Sequence, residues 1–336
     1  METGGKLTRL VVVGTVLAVA LGNWLANAQD VNSLPNPFSV VENWARLPTE
    51  RAWGQVIGVE IDPDGKSIWV LDRCGPKGCM DPIGKTINPI QKFDRDGKLI
   101  ISFGAGLFNW PHGFFVDREG NVWATDGIGV NGKGNTVFKF SAEGKILMML
   151  GQPGVAGDGQ DTFNWPSDVV VGMNGDIFIA DGHGGKSNAR IVKFTKDGKF
   201  IKAWGKEGSA AGEFDVPHGL ALDRQGRLFV ADRSNNRIQI FDQDRKFIEA
   251  WTQFGRPSGL YIDRQDMLYV TDSQSGEKYN APFRQGIRIG SASDGRVTAF
   301  IRDPGPGAPE SLAADDQGNV FGGFIEVQTL KKYIRN

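Results

Sequence analysis

From Val56 onward the chain is a succession of short runs in which apolar and polar side chains alternate, broken at close intervals by Asp-Gly, Asn-Gly or similar pairs. Alternation with a period of two marks strands with one buried face, and such pairs make hairpin turns. Six segments repeat one pattern: VIGVEIDPDGKSIWVLDR from Val56, PHGFFVDREGNVWATDG from Pro111, PSDVVVGMNGDIFIADG from Pro166, PHGLALDRQGRLFVADR from Pro217, PSGLYIDRQDMLYVTDS from Pro257 and PESLAADDQGNVFGGF from Pro309. Each of the first five continues into a further strand, turn and strand, as in RIVKFTKDGKFIKAWG from Arg190. Four short antiparallel strands per repeat of roughly 40 to 55 residues is the unit of a propeller blade, and one blade cannot bury both of its faces alone. The pattern therefore predicts an all-β chain folded as a six-bladed β-propeller. The last repeat stops at LKKYIRN, one strand short, while an extended stretch around Phe38–Leu47 has no repeat of its own. That N-terminal strand is predicted to complete the sixth blade and close the ring, which removes an exposed edge.

The first residues follow a different pattern. Lys6 and Arg9 precede an apolar run from Leu10 to Leu21, and Ala26-Asn27-Ala28 follows. A basic start, an apolar stretch and an A-x-A site read as a cleavable signal peptide over residues 1–28, with cleavage near Ala28-Gln29 and a periplasmic or secreted mature protein. The run is too short to span a bilayer, so no membrane span is expected, and residues 29–336 read as a single propeller domain. Losing Glu2, Lys6 and Arg9 moves the formal charge from −1 to −2. No basic patch points to nucleic acid. The two cysteines, Cys74 and Cys79, share one loop, and an oxidising compartment favours a disulfide between them over a metal pair that has no second Cys pair to complete it.

Candidate chemistry emerges when the repeats are aligned on the residue that precedes the first inner strand. The equivalent positions are Ile57, His112, Ser167, His218, Ser258 and Glu310. His112, His218 and Glu310 fall in alternate blades, so they should converge on the channel axis. Two imidazoles and a carboxylate with one open direction form a catalytic zinc ligand set, which also suits iron. The competing reading is that Pro-His-Gly is a turn whose imidazole caps backbone groups. His183 lies just past the second strand of blade three, where it is either a general acid or base beside the metal or a solvated loop residue. Arg73 and Arg233 follow the second strands of blades one and four. They could hold a substrate carboxylate by paired hydrogen bonds, or pair with the adjacent Asp72 and Asp232. An aspartate ends the second strand in five blades, at Asp72, Asp126, Asp181, Asp232 and Asp272, which suits loop hydrogen bonding. Trp110 and Trp165, each in Asn-Trp-Pro, suit packing between blades.

In these residues, and most specifically in VADRSNNRIQIF from Val230 and Val216-Pro217-His218, the chain resembles the NHL-repeat propeller of the peptidyl-α-hydroxyglycine α-amidating lyases. The resemblance implies that His112 and His218 bind zinc, that Arg73 and Arg233 are active-site arginines, and that the carbonyls of Val56 and Phe114 face a structural calcium. It implies release of an amide and glyoxylate from an N-acyl-α-hydroxyglycine, a small-molecule or peptide substrate bearing a carboxylate. Three positions depart from the family: Glu310 stands for the third zinc histidine, His183 lies where the catalytic tyrosine is expected, and Ser311 replaces the calcium-binding aspartate, which counts against calcium. A related metal-dependent hydrolase, or a non-catalytic propeller that binds a protein, peptide or glycan partner, are the other readings of such a ring. A lactonase-like esterase would need a channel rich in carboxylate and Asn, which these positions do not supply.

Overall fold

A computed structural model describes Met1, residues 31–303 and residues 305–336. Apart from Met1, the segment assigned to export lies outside these residues. The described chain is all-β, with six sheets of four antiparallel strands set as the blades of a propeller. Among the described residues no helix is long and apolar enough to cross a membrane.

Each blade follows from its repeat. In blade four, Pro217–Leu222 lies innermost, followed outward by Leu228–Asp232, Arg237–Phe241 and Phe247–Trp251. The second strand, LFVAD, is wholly buried because it faces neighbouring blades on both sides; the outermost strand alternates and meets solvent. Aromatic side chains fill the gaps between blades, as where Phe103 of blade one lies 5.4 Å from Phe140 of blade two.

The sixth blade runs Phe38–Val41, Thr329–Arg335, Val320–Phe324, Pro309–Ala314 from rim to channel. Phe38 pairs with Arg335 and Val41 with Lys332, so the N-terminal strand closes the ring as the repeat pattern predicts. The stretch then crosses to blade one. Trp44 packs 4.9 Å from Phe321 and 6.3 Å from Phe93, and the Arg46 N–H donates to the Gly97 carbonyl at 2.8 Å. One short segment thus holds the last blade to the first.

A register shift interrupts the two inner strands of five blades, at Val56/Gly58, Pro111/Phe114, Pro166/Asp168, Pro217/Gly219 and Pro309/Ser311. A bulge places one extra residue against its partner strand and re-aims its side chain. The interrupted stretches contain the aligned positions Ile57, His112, Ser167, His218 and Glu310. Glycine follows four of the six aligned residues, and it must. A Cβ at Gly113 would collide with the Asp168 backbone, and one at Gly219 would lie 2.5 Å from the Ser258 carbonyl oxygen.

Candidate metal centre

The bulges bring His112 and His218 to the channel axis, with ring centroids 4.7 Å apart. Each is oriented by the next blade. His112 Nδ1 lies 2.7 Å from the Ser167 carbonyl oxygen and His218 Nδ1 lies 3.1 Å from that of Ser258. A carbonyl can only accept, so Nδ1 carries the proton in both rings and Nε2 keeps its lone pair for a ligand. Ser167, at the same position of blade three, donates its hydroxyl to the Pro217 carbonyl.

His183 joins them from a loop. Its ring centroid is 4.7 Å from that of His112 and 5.0 Å from that of His218. The donor atoms of the three imidazoles all lie within 4.8 Å of one another, so this trio can hold a metal ion. The loop is fastened at both ends: Gly182 N–H donates to the Trp165 carbonyl at 3.0 Å, and His183 N–H donates to Ser187 Oγ at 2.8 Å. Trp165 takes φ 67° and Val216 takes φ 62°, left-handed conformations that are costly for bulky side chains. Their carbonyls anchor Gly182 and Arg233, so the strain lies where the loops bearing His183 and Arg233 are pinned.

Glu310 touches the trio at one member, His218. Its Oε1 is 3.0 Å from His218 Nε2 and 3.2 Å from Arg233 Nη1, while its Oε2 has no hydrogen-bond partner. The geometry adds His183 to the candidate donors named from the repeats and leaves Glu310 in contact with His218. Alignment could not see this, because His183 comes from a loop outside the aligned register.

The electrostatics suit a cation. Burial lowers the pKa of all three histidines; His112 and His183 are pushed well below the ordinary value by burial, by neighbouring histidines and by arginines. The rings are neutral at pH 7, the form that ligates metal. Burial works against the charge of Glu310, but the adjacent His218 and Arg233 outweigh it and hold the carboxyl below its usual range. His218 Nε2 is buried and makes no hydrogen bond, although it is in contact with Glu310. Such atoms are exceptions in folded proteins and are found where ions bind.

Calcium fits less well. It takes six to eight oxygens, with carboxylates prominent among them. Val56 and Phe114 line adjacent inner strands, but Ser311 offers only a hydroxyl. The carboxylate at the same position of blade three, Asp168, already accepts from Val169 N–H at 2.9 Å and Leu220 N–H at 2.7 Å.

Around the trio, Arg73 lies over Trp110, its guanidinium carbon 3.9 Å from the ring centroid. Trp110 in turn faces His112 at 4.8 Å and His183 at 5.1 Å, and Trp165 faces His183 at 5.8 Å. The two tryptophans flank the histidines rather than serving only to pack blades together. The arginines do not pair with their sequence neighbours, since Asp72 is bound by Arg51 at 2.8 Å and Asp232 by Arg237 at 2.7 Å. The strand-ending aspartates fasten loops: Gly54, Trp110, Asn164, Asp215 and Arg256 N–H groups donate to Asp72, Asp126, Asp181, Asp232 and Asp272 respectively. Cys74 and Cys79 form a disulfide in the loop after Arg73.

Comparison with known proteins agrees with this architecture. Residues 214–241 match the NHL repeat. The chain is 31% identical over 306 residues to "Peptidyl-glycine alpha-amidating monooxygenase A" of Xenopus laevis, which covers 83% of this chain and 32% of that protein. It is 42% identical over 149 residues to "Probable peptidyl-alpha-hydroxyglycine alpha-amidating lyase pgal-1" of Caenorhabditis elegans, covering 43% of this chain and 40% of that one. The chain thus spans about a third of the length of the amphibian relative. Among solved structures, a gluconolactonase from Xanthomonas campestris superposes with a TM-score of 0.58 at 16% identity, over 89% of this chain and 95% of its own, a likeness of fold alone.

Proposed function

We propose that this NHL-repeat propeller is a metal-dependent lyase that cleaves an N-acyl-α-hydroxyglycine, or a peptide ending in one, to an amide and glyoxylate. Similarity to proteins named as amidating lyases supports the reaction class. The observation that carries the reading is the trio His112, His183 and His218, with donor atoms within 4.8 Å and two rings fixed by carbonyls so that Nε2 is free. These three neutral imidazoles would hold a divalent cation such as zinc, with iron the other candidate. When bound, such an ion supplies Lewis acidity toward the substrate hydroxyl.

In the reaction the hydroxyl oxygen loses a proton and becomes the carbonyl of glyoxylate, the C–N bond breaks, and the amide nitrogen gains a proton. With His183 serving as a ligand, the proton carrier must be another group. Glu310 Oε2 is buried, anionic and without a partner, and Arg233 fixes the other oxygen of that carboxylate. We assign it, by its position beside His218 and not by its basicity, to accept the hydroxyl proton and return it to the departing nitrogen. Arginine at the channel mouth binds the substrate carboxylate, and Trp110 holds Arg73 in place by stacking. The disulfide and the signal-like N-terminus support a periplasmic or secreted protein acting on a small-molecule or peptide substrate.

The test is glyoxylate release from N-benzoyl-α-hydroxyglycine by purified protein, set beside the His218→Ala variant. The wild type is expected to release glyoxylate and the variant to lose at least about a hundredfold in rate, as loss of a metal ligand requires. Equal rates in the two would overturn the mechanism.

A further inference from the structure

The inner strands carry a second group of unmatched polar side chains, at the end of the channel away from the histidines. Glu60, Phe115, Ala221 and Tyr261 each lie three residues past an aligned position, namely Ile57, His112, His218 and Ser258. At the rise of a strand they sit roughly 10 Å along the axis from that level. Here a cavity of about 130 Å³ is walled by Phe115, Val170, Leu220, Leu260 and Ile262, with Glu60 and Tyr261 also lining it. The Glu60 carboxyl accepts from the Ile61 N–H, and among the described residues no cation lies within ion-pair distance of it. Burial and the nearby charge of Asp168 push its pKa well up, since nothing positive offsets them. Tyr261 lies close enough to feel the Glu60 charge, and among the described residues its hydroxyl meets no hydrogen-bond partner. The other charged groups on the wall are engaged or at the rim: Asp223 is bound by Arg227 Nε at 2.6 Å, and Arg118 is exposed.

A desolvated carboxyl without a counter-ion is costly, and an apolar pocket with a few convergent polar groups is the form that small-molecule sites take. Aliphatic walls do not suit a divalent cation such as calcium, which needs six or more oxygens. An ammonium on a short carbon chain suits both parts of the cavity. Its N–H groups donate to Glu60 and to the Tyr261 oxygen, its chain lies against the aliphatic wall, and the rings of Phe115 and Tyr261 favour a cation. Apolar cavities of about 150 Å³ take up benzene, so one of this size admits a chain of about four carbons. We infer that this cavity is a binding site for a primary alkylammonium group, held by Glu60. The site is separate from the metal centre and does not rest on the lyase reading. A free amine and a lysine side chain of a partner protein offer the same chemistry.

The experiment titrates n-butylammonium and 1-butanol, which share a chain but not a charge, into the full chain as purified, with heats of binding as the readout. Butylammonium is expected to bind, and butanol at least about tenfold more weakly. Glu60→Gln is expected to weaken butylammonium at least about tenfold and to leave butanol within about threefold of wild type. This variant removes the repulsion between Glu60 and Asp168, so it is expected to keep the fold. Ala221→Leu places a larger side chain in the cavity and is expected to weaken both ligands; should it fail to fold, Glu60→Gln carries the test. Nα-acetyl-lysinamide separates the two sources: Glu60-dependent binding tighter than that of butylammonium identifies a lysine of a partner protein, and weaker binding a free amine, the site standing in both cases. No binding of butylammonium below about 10 mM, butanol bound as tightly as butylammonium, or butylammonium binding unchanged in Glu60→Gln would overturn the inference.

Discussion

His183 sits in the run Asp-Gly-His-Gly-Gly, and the glycines on either side adopt φ values of 141°, 93° and 66° that few other residues tolerate. Such a loop can turn an imidazole back over the channel, where it meets His112 and His218. If the trio is the metal-binding set, His183→Ala should reduce bound metal from near one equivalent to below about a tenth, measured by elemental analysis after dialysis. Glu310→Gln should retain most of the metal while abolishing glyoxylate release. The opposite pattern, with metal lost from the Glu310 variant and kept in the His183 variant, would return Glu310 to the ligand set. The residue types were legible in the sequence. Their parts were not, because a ligand's role depends on which donor atoms converge, and register reports only the direction in which a strand residue leaves its backbone.

In five blades the aspartate that ends the second strand fastens the segment leading into the first, and these aspartates recur with the repeat. Asp232 accepts from the Asp215 N–H at 2.7 Å and from Arg237 Nε at 2.7 Å, and it is fully buried. Asp232→Ala leaves Arg237 without its counter-ion and should destabilise the fold by about 3–5 kcal/mol in denaturant unfolding. Asp168 does analogous work in the channel, joining blade three to the Leu220 N–H of blade four. Burial raises its pKa to about 7 against backbone hydrogen bonds that lower it. The raised pKa means the folded state holds a proton that the unfolded state has released. Its contribution to stability is therefore fully present below pH 4 and lost as pH rises through 7. The stability of the wild type relative to Asp168→Asn should accordingly fall between pH 4 and pH 7; a rise over that window would contradict the burial argument. Because Ser311 offers no carboxylate and both oxygens of Asp168 already accept backbone N–H groups, addition of calcium or a chelator selective for it should leave the melting temperature unchanged.

At the scale of the whole ring, closure depends on one short strand. Phe38–Val41 makes four residue pairs with the C-terminal strand, and Trp44, 9% exposed, packs against Phe321 and Phe93 across the joint between blades six and one. Trp44→Ala should cost about 3–5 kcal/mol, as truncation of a buried aromatic does, and a chain beginning after residue 48 should melt lower still and associate through the uncovered edge of Thr329–Arg335. Scattering and thermal unfolding of the two variants would show this; unchanged melting in both would mean that the ring closes elsewhere.

Much of this architecture is written in local order. Alternation with a period of two, turn pairs at close intervals and six copies of one repeat determine strands, blades and their number, because each depends on neighbours along the chain. The missing last strand and the unassigned N-terminal stretch together determine the closure, since an edge must be covered. What only the tertiary structure decides is which side chains share a point in space. The bulges that turn His112 and His218 into the channel arise from pairing between strands, His183 arrives from a loop outside the register, and Glu310 meets Arg233 from two blades away in sequence order. The sequence names the donors and the arginines; packing around a common axis sets their distances, and at a metal or an anion distances decide the chemistry.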